Sequence, residues 1–362
     1  MLMQQSPQSS STPRLPAEWE KQSGVMLTWP HADTDWRPYL DDITQTYLQL
    51  ADAITQREHL LVATPFPDAT KTLLSQALTP GQMERVSIYE TASNDTWARD
   101  HGPITLSVPQ APAASEDSGH RLLDFRFNGW GEKFAWEKDN AITRHLYARG
   151  AFADCTLERH DDFVLEGGSI ESDGLGTVFT TSQCLLAPHR NQPLSRQDIE
   201  QRLKTMLHAR RIVWIDHGNL VGDDTDGHID TIVRVAPDNT LLYVGCDNPE
   251  DEQYADFQAL QEQLGTLRTT EGKSFRLLKL PMPEAVYDDG ERLPATYANF
   301  LIINGAVIYP TYAQPQNDEE ARRTLQEAFP RHTLVPIDSR TIIRQHGSIH
   351  CLTMQLPEGI IR

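Results

Sequence analysis

A strand, loop, strand and helix pattern recurs about five times along this 362-residue chain, and it constrains the fold more than any single motif does. Short β-branched runs ending in an acid (Val86 to Glu90, Ile212 to Asp216, Leu334 to Asp338) are each followed about 10 to 14 residues later by a Gly-bearing polar cluster. Those clusters read WARDHGP around Asp100, DGHID around Asp230 and HGSIHC ending at Cys351. LEGG at Glu166 matches them with a shorter lead, and YANF near Asn299 opens the apolar runs FLIIN and AVIYP, which makes five units of about 50 to 70 residues. Apolar residues at three and four spacing predict helices over Leu40 to Gln56, Asp68 to Ala77, Ser195 to Ala209, Glu252 to Leu264 and Asp318 to Ala328.

Hairpin-like strands dominate such units, so one open parallel sheet accommodates them badly. Radial repetition accommodates them well, and it brings equivalent loops together, so that polar residues at equivalent positions meet in one pocket. The competing architecture is an ordinary α/β sandwich with a second domain. No Pro/Gly/Ser linker divides the chain, which favours a single domain over residues 14–362. The Gln/Ser-rich start, residues 1–13, reads as a disordered leader without the basic and apolar regions of a secretory signal, and a cytoplasmic address follows.

Composition narrows the partners. The longest apolar run, Phe300 to Pro310, is about half the roughly 20 residues of a membrane-spanning helix. A balance of 32 basic against 51 acidic residues gives a net charge of -19, which repels nucleic acid and anionic membranes and attracts small cations. A solubilising surface would carry the same excess, so charge alone does not select a substrate. Cys155, Cys184, Cys246 and Cys351 are widely spaced without a C-x-x-C pair and read as thiols, not bridges.

Phosphate-cradling Gly-rich motifs and H-E-x-x-H are missing from the sequence. The DDTDGH segment, set in the register of a calcium loop, puts Gly222 and Val233 where carboxylates should close the site, so that reading fails. No His and Cys stand at a standard zinc spacing. A thiol, an imidazole and several carboxylates remain, all in Gly-bounded loop clusters. Cys351 by itself suits a buried structural thiol, but its repeat position matches Asp100, Glu166 and Asp230. His350 is expected on the opposite strand face and is read as structural; His228 and Asp230, two apart, share one face if that segment is extended. Cys155, Cys184 and Cys246 are expected to be ordinary core thiols.

The strings TWARDHGP, FNGWG, LEGGSIESDGLGT followed by CLL and HRN, DTDGHID, ATYANFLIIN and SIHCLT resemble the agmatine deiminase and Porphyromonas-type peptidylarginine deiminase family. Two stretches depart from the pattern: QHGSIHC where relatives often have GGGNIHC, and TTSQCLL where a Glu usually precedes the cysteine. The resemblance implies the pentein fold, a five-bladed α/β propeller with pseudo-fivefold symmetry of ββαβ-type units. It also implies Cys351 as nucleophile, His228 as acid and base, Asp100 and Asp230 as guanidinium ligands, and Glu166 as the carboxylate orienting His228. The resemblance also places Trp97 and Asp224 near the amine end of the substrate.

Those residue types suit the chemistry. Guanidinium is planar, delocalised and charged, so attack on its carbon requires the charge to be localised and both edges to be held. Two opposed carboxylates hold it, a thiolate attacks, and one imidazole protonates the departing ammonia and then activates water. No metal or organic cofactor is required. The expected activity is hydrolysis of agmatine to N-carbamoylputrescine and ammonia, a step toward putrescine and polyamines. An acidic loop (Asp223, Asp224, Asp226) with Trp97 as aromatic wall suits an ammonium and repels the carboxylate of arginine. The alternatives are a peptidylarginine or free-arginine deiminase, an amidinotransferase with the same core, and a non-catalytic guanidinium-binding protein. Whether the chain forms a homo-oligomer is left open by the sequence.

Overall fold

In a computed structural model, which describes residues 13–108, 119–153 and 155–361, the five predicted units are five small sheets built to one plan. In each, a short strand pairs antiparallel with a second, and a helix then carries the chain to a third strand parallel to the second. The second to fifth sheets open with Ile104–Leu106, Ile170–Ser172, Val233–Ala236 and Leu301–Ile303. Their central strands are His120–Arg126, Thr177–Thr181, Thr240–Gly245 and Ala306–Thr311. Each is joined in parallel by Cys155–Val164, Arg211–Ile215, Arg276–Pro281 or Thr333–Asp338.

The first sheet departs from the plan in an informative way. Its antiparallel strand is the last of the chain, Thr353–Pro357, paired with Gln22–Thr28, and two parallel strands follow, His59–Thr64 and Val86–Glu90. The two ends of the chain therefore meet in one sheet, and the turn bearing Cys351 sits beside residues from the N-terminal segment. A separate hairpin, Val286–Asp288 with Glu291–Leu293, lies between the fourth and fifth units.

Central strands such as His59–Thr64, past its first residue, and Thr240–Gly245 are buried throughout, which is why they read as continuous apolar runs rather than alternating ones. A parallel neighbour demands a crossover, and the helices Leu40–Thr55, Ile142–Ala148, Arg196–Met206, Tyr254–Thr266 and Pro315–Ala328 supply it. Leu40–Thr55 buries Ile43, Tyr47, Leu50 and Ile54, the face its spacing predicts. Ser195 and Asp198 form a reciprocal cap at the start of Arg196–Met206, and Pro67 and Pro315 sit where a helix start has no need of an N–H. Observed ends agree with the predicted helices to within about three residues; Ile142–Ala148 is the crossover the sequence left unassigned. The predicted leader lies almost wholly outside the described residues, which begin at 13.

The polar clusters occupy one structural position. The turns Ala98–His101, Gly167–Ser169 and Ile229–Thr231, with the turns holding Asn299 and Cys351, each come immediately before the opening strand of a sheet. The first three touch in succession: Ala98–His101 packs on Gly167–Ser169, which packs on Ile229–Thr231. The sheets thus bring together residues that lie far apart in the chain. Among the described residues no helix is long and apolar enough to cross a membrane.

Candidate active site

Asp100, on its turn, is buried with both oxygens engaged: Oδ2 accepts the indole N–H of Trp130 at 2.9 Å and Oδ1 accepts the backbone N–H of Gly168 at 3.0 Å. Trp130 reaches it because Gly129, Trp130 and Gly131 all hold positive φ (65°, 55° and 88°), the physical content of the FNGWG string. Burial raises the Asp100 carboxyl above its ordinary range; His228 opposes that shift and Asp230 adds to it.

Asp230 faces the same space with the opposite balance. Burial would raise its pKa, but the hydrogen bond and charge of His350, with Nδ1 2.7 Å from Oδ2, hold it below the ordinary value. Its Oδ1 is buried without a partner. Gly168 stands between these groups: a Cβ there would lie 2.6 Å from His228 Nδ1, 2.9 Å from Asp100 Oδ1 and 3.1 Å from Asp230 Oδ2. The second glycine of LEGG is therefore required by the convergence of three site residues.

Cys351 completes the cluster. Its Sγ lies 3.7 Å from Asp230 Oδ2 and 3.4 Å from Asn299 Oδ1, and Asn299 Oδ1 also accepts the backbone N–H groups of His350 and Cys351 at 2.9 and 3.2 Å. Burial first, and then the charges of Asp230 and Asp100, push this thiol well above its usual range. A cation bound between the carboxylates would offset that charge and favour the thiolate.

His228 is fully buried, its Nδ1 is 3.7 Å from Asp100 Oδ1, and its ring lies beside the thiol of Cys184. Burial disfavours its charged form, but Asp100, then Cys184 and Glu166, outweigh burial and raise it well above its ordinary value. Glu166 is within 4.8 Å of His228, yet its Oε1 accepts from Arg190 Nε at 3.0 Å and Oε2 is unpartnered. Arg190, from the HRN string, continues to Asp226 Oδ2 at 2.6 Å and the Thr225 carbonyl at 2.7 Å, which pins the loop leading into His228.

Three sequence expectations need correction. His228 and Asp230 do not share the face of an extended strand, because Ile229–Thr231 is a 3-10 turn for which His228 is the cap. His350 is not turned away from the site, because residues 349–352 form a turn before the strand begins at Thr353 and strand alternation does not apply. Cys184 is buried in the core as expected, but its Sγ also joins His228 and Glu166 in one cluster of atoms within 4.8 Å of one another. No disulfide joins any two of the four cysteines.

Over Cys351 and Asp100 opens a cavity of about 420 Å³, a size suited to a small ligand. Trp97 and Asp224 line it, together with Asp35, Asp95 and Trp130. Burial raises the carboxyl of Asp95 to about 7 and that of Asp224 to about 6, the latter with help from Asp223. Gly347 gives the Trp97 ring its room, since a Cβ there would sit 2.1 Å from the indole. Arg344 also reaches the wall, but its Nε is 2.8 Å from Asp288 and its guanidinium lies over Tyr39.

Asn299, Trp130, Arg190 and Asp95 had no assigned role from sequence, although three of them stand inside strings that carry the resemblance. The cluster of Glu166, Cys184 and His228 has ligand types that a soft cation would accept, but Glu166 is already paired with Arg190.

Residues 14–357 match the family model of Porphyromonas-type peptidyl-arginine deiminase. Agmatine deiminase of Stutzerimonas stutzeri is 33% identical, over 98% of this chain and 99% of its own. A C. jejuni agmatine deiminase structure with substrate bound is 35% identical with a TM-score of 0.86, covering 97% of this chain and 98% of its own. A Porphyromonas gingivalis structure, provisionally named an arginine deiminase, is 46% identical with a TM-score of 0.90, covering 97% and 100%. With nearly every residue of the five units matched, this chain belongs to the Porphyromonas-type peptidyl-arginine deiminase family.

Proposed function

We propose that this protein is an agmatine deiminase, which hydrolyses agmatine to N-carbamoylputrescine and ammonia. The observation that carries this reading is the lining of one cavity: Cys351 and Asp100 line it, with Asp230 buried beside Cys351, and Asp95, Asp224 and Trp97 line the same space. The first set suits a guanidinium and the second an ammonium.

In this reading Asp100 and Asp230 each take an edge of the guanidinium and present its carbon to sulfur. The Cys351 thiolate forms the S–C bond. The C–N bond to one amino group breaks, and that group leaves as ammonia with a proton from His228. Water then adds to the thiouronium carbon and gives its proton to His228. The S–C bond breaks, and the ureido product leaves with Cys351 restored. Glu166, held by Arg190, supplies negative charge that keeps His228 protonated for the first half. This chemistry requires neither metal nor organic cofactor.

The five units are proposed to stand as blades of one α/β propeller, a single catalytic domain from residue 14, with the polar turns near its axis. Their common plan and the pairing of the first and last strands support that arrangement. A cytoplasmic setting, with the product feeding polyamine synthesis, fits an enzyme of this type.

The second reading is a free-arginine deiminase, favoured by Arg344 on the cavity wall. Its pairing with Asp288 leaves it poorly placed to receive a second carboxylate. Measuring ammonia from agmatine, arginine and a peptidyl arginine decides between them. Agmatine should be preferred strongly, and equal or better efficiency on either of the others would replace this reading.

A further inference from the structure

His350 has a carboxylate at each end of its ring. Nδ1 is 2.7 Å from Asp230 Oδ2 and Nε2 is 2.8 Å from Glu18 Oε1, with the imidazole fully buried. Glu18 comes from the segment that precedes the first strand, 332 positions from His350. Its Oε1 also accepts from Arg99 Nη1 at 3.1 Å, and its Oε2 accepts from Arg234 and, at 3.0 Å, from Gln355 Nε2. Three of these partners belong to site-bearing stretches: Arg99 precedes Asp100, Arg234 lies in the strand Val233–Ala236 that follows Asp230, and His350 precedes Cys351. Arg234 is shared with Glu171, whose Oε1 lies 2.6 Å from Arg234 Nε.

The geometry assigns Glu18 as a positioning residue that acts through His350 to orient Asp230 for the guanidinium. A carboxylate has two oxygens and can rotate. Tying Oδ2, the oxygen 3.7 Å from Cys351 Sγ, to the imidazole restricts that rotation, while Oδ1 is buried without a hydrogen-bond partner. Without Glu18 one end of His350 loses its anchor, and the ring can follow Asp230 instead of holding it. Glu18 itself touches neither Cys351 nor the cavity lined by Trp97 and Asp224. This inference rests on the reading of Asp230 as a guanidinium ligand.

The test is a double-mutant cycle on agmatine turnover with Glu18→Gln, His350→Gln and both together. Glu18→Gln should raise KM for agmatine about tenfold while kcat falls less, and the double variant should be no worse than His350→Gln, since the two act in one line. Calorimetric binding of agmatine in a Cys351→Ala background should weaken by the same factor when Glu18→Gln is added. Glu18→Asp, which keeps the charge, should recover part of the loss, and Gln355→Leu, which removes a Glu18 contact outside the line, should leave KM near wild type. Additive losses in the cycle, or an unchanged KM in Glu18→Gln, overturn the assignment. If Glu18→Gln fails to fold, His350→Gln with Glu18→Asp carries the same cycle. Wild-type protein inactive on agmatine but active on another guanidine would overturn the functional reading alone, and the cycle would then be run on that guanidine.

Discussion

Cys184 and His228 lie side by side in the buried floor of the site, where the thiol sulfur, a ring nitrogen and an oxygen of Glu166 are all within 4.8 Å of one another. Burial raises the pKa of Cys184, while the charge of Arg190 and then that of His228 oppose the shift. A neighbour of this kind shapes His228 without reaching the cavity, which Cys351 and not Cys184 lines.

Removal of each thiol should therefore read out differently. Cys351→Ala should reduce ammonia release from agmatine to below about one thousandth of wild type with the fold retained, since the nucleophile is lost and little volume with it. Cys184→Ala should cost less than about tenfold in kcat. Equal losses in the two variants, measured by ammonia release and circular dichroism, would mean that sulfur chemistry had been assigned to the wrong residue.

In the proposed mechanism His228 is protonated when ammonia leaves, and its pKa is raised by Asp100, Cys184 and Glu166 against the effect of burial. Turnover should accordingly fall as pH rises through that raised value, and Asp100→Asn should move the alkaline limb to lower pH. The same substitution should weaken transition-state binding by about 2 to 5 kcal/mol, because a buried cation loses a charged partner. A pH profile of kcat/KM for both proteins checks the two effects together, and an alkaline limb that does not move would remove Asp100 as the source of the shift.

The ammonium end makes a separate claim about pH. Asp224 and Asp95, with carboxyls raised by burial to about 6 and about 7, attract a cation only when ionised. As pH falls from 8 through these values, KM for agmatine should rise. For an alkylguanidine that lacks the terminal amine it should rise much less. Asp224→Asn should raise the agmatine KM by about tenfold with a smaller change in kcat, the loss expected for one partly buried charge pair. Parallel KM curves for the two substrates would argue that no ammonium binds there.

Gly168 offers a steric test. A methyl group at that position meets His228, Asp100 and Asp230 all within 3.1 Å, so Gly168→Ala must displace at least one of them. Overpacking of this kind costs about 1 to 3 kcal/mol of stability, which a protein of this size tolerates, whereas misplacing a reacting group by about 1 Å costs about a hundredfold in rate. A folded variant with normal kcat would show that these three groups do not need their observed spacing.

Local physics made much of the architecture legible in advance. The helix Leu40–Thr55 follows from apolar spacing that needs no partner to be read, and strands such as Val86–Glu90 follow from β-branched runs bounded by turn residues. The repeat placed Asp100, Glu166, Asp230 and Cys351 in equivalent loops, because a residue's offset from its strand is encoded within a few positions. Contacts across the chain were not legible. Glu18 meets His350 over 332 positions, Asn299 meets Cys351 over 52, and Trp130 meets Asp100 over 30 through a left-handed turn. Even the nearest case misled: the two-residue spacing of His228 and Asp230 has one meaning in a strand and another in the 3-10 turn they occupy. Sequence by itself determined which residues could serve the site and which short segments would carry them. Only the tertiary structure decided which side chain faces which, because hydrogen-bond partners, burial and the resulting charge states depend on how the sheets pack, and no local spacing encodes that.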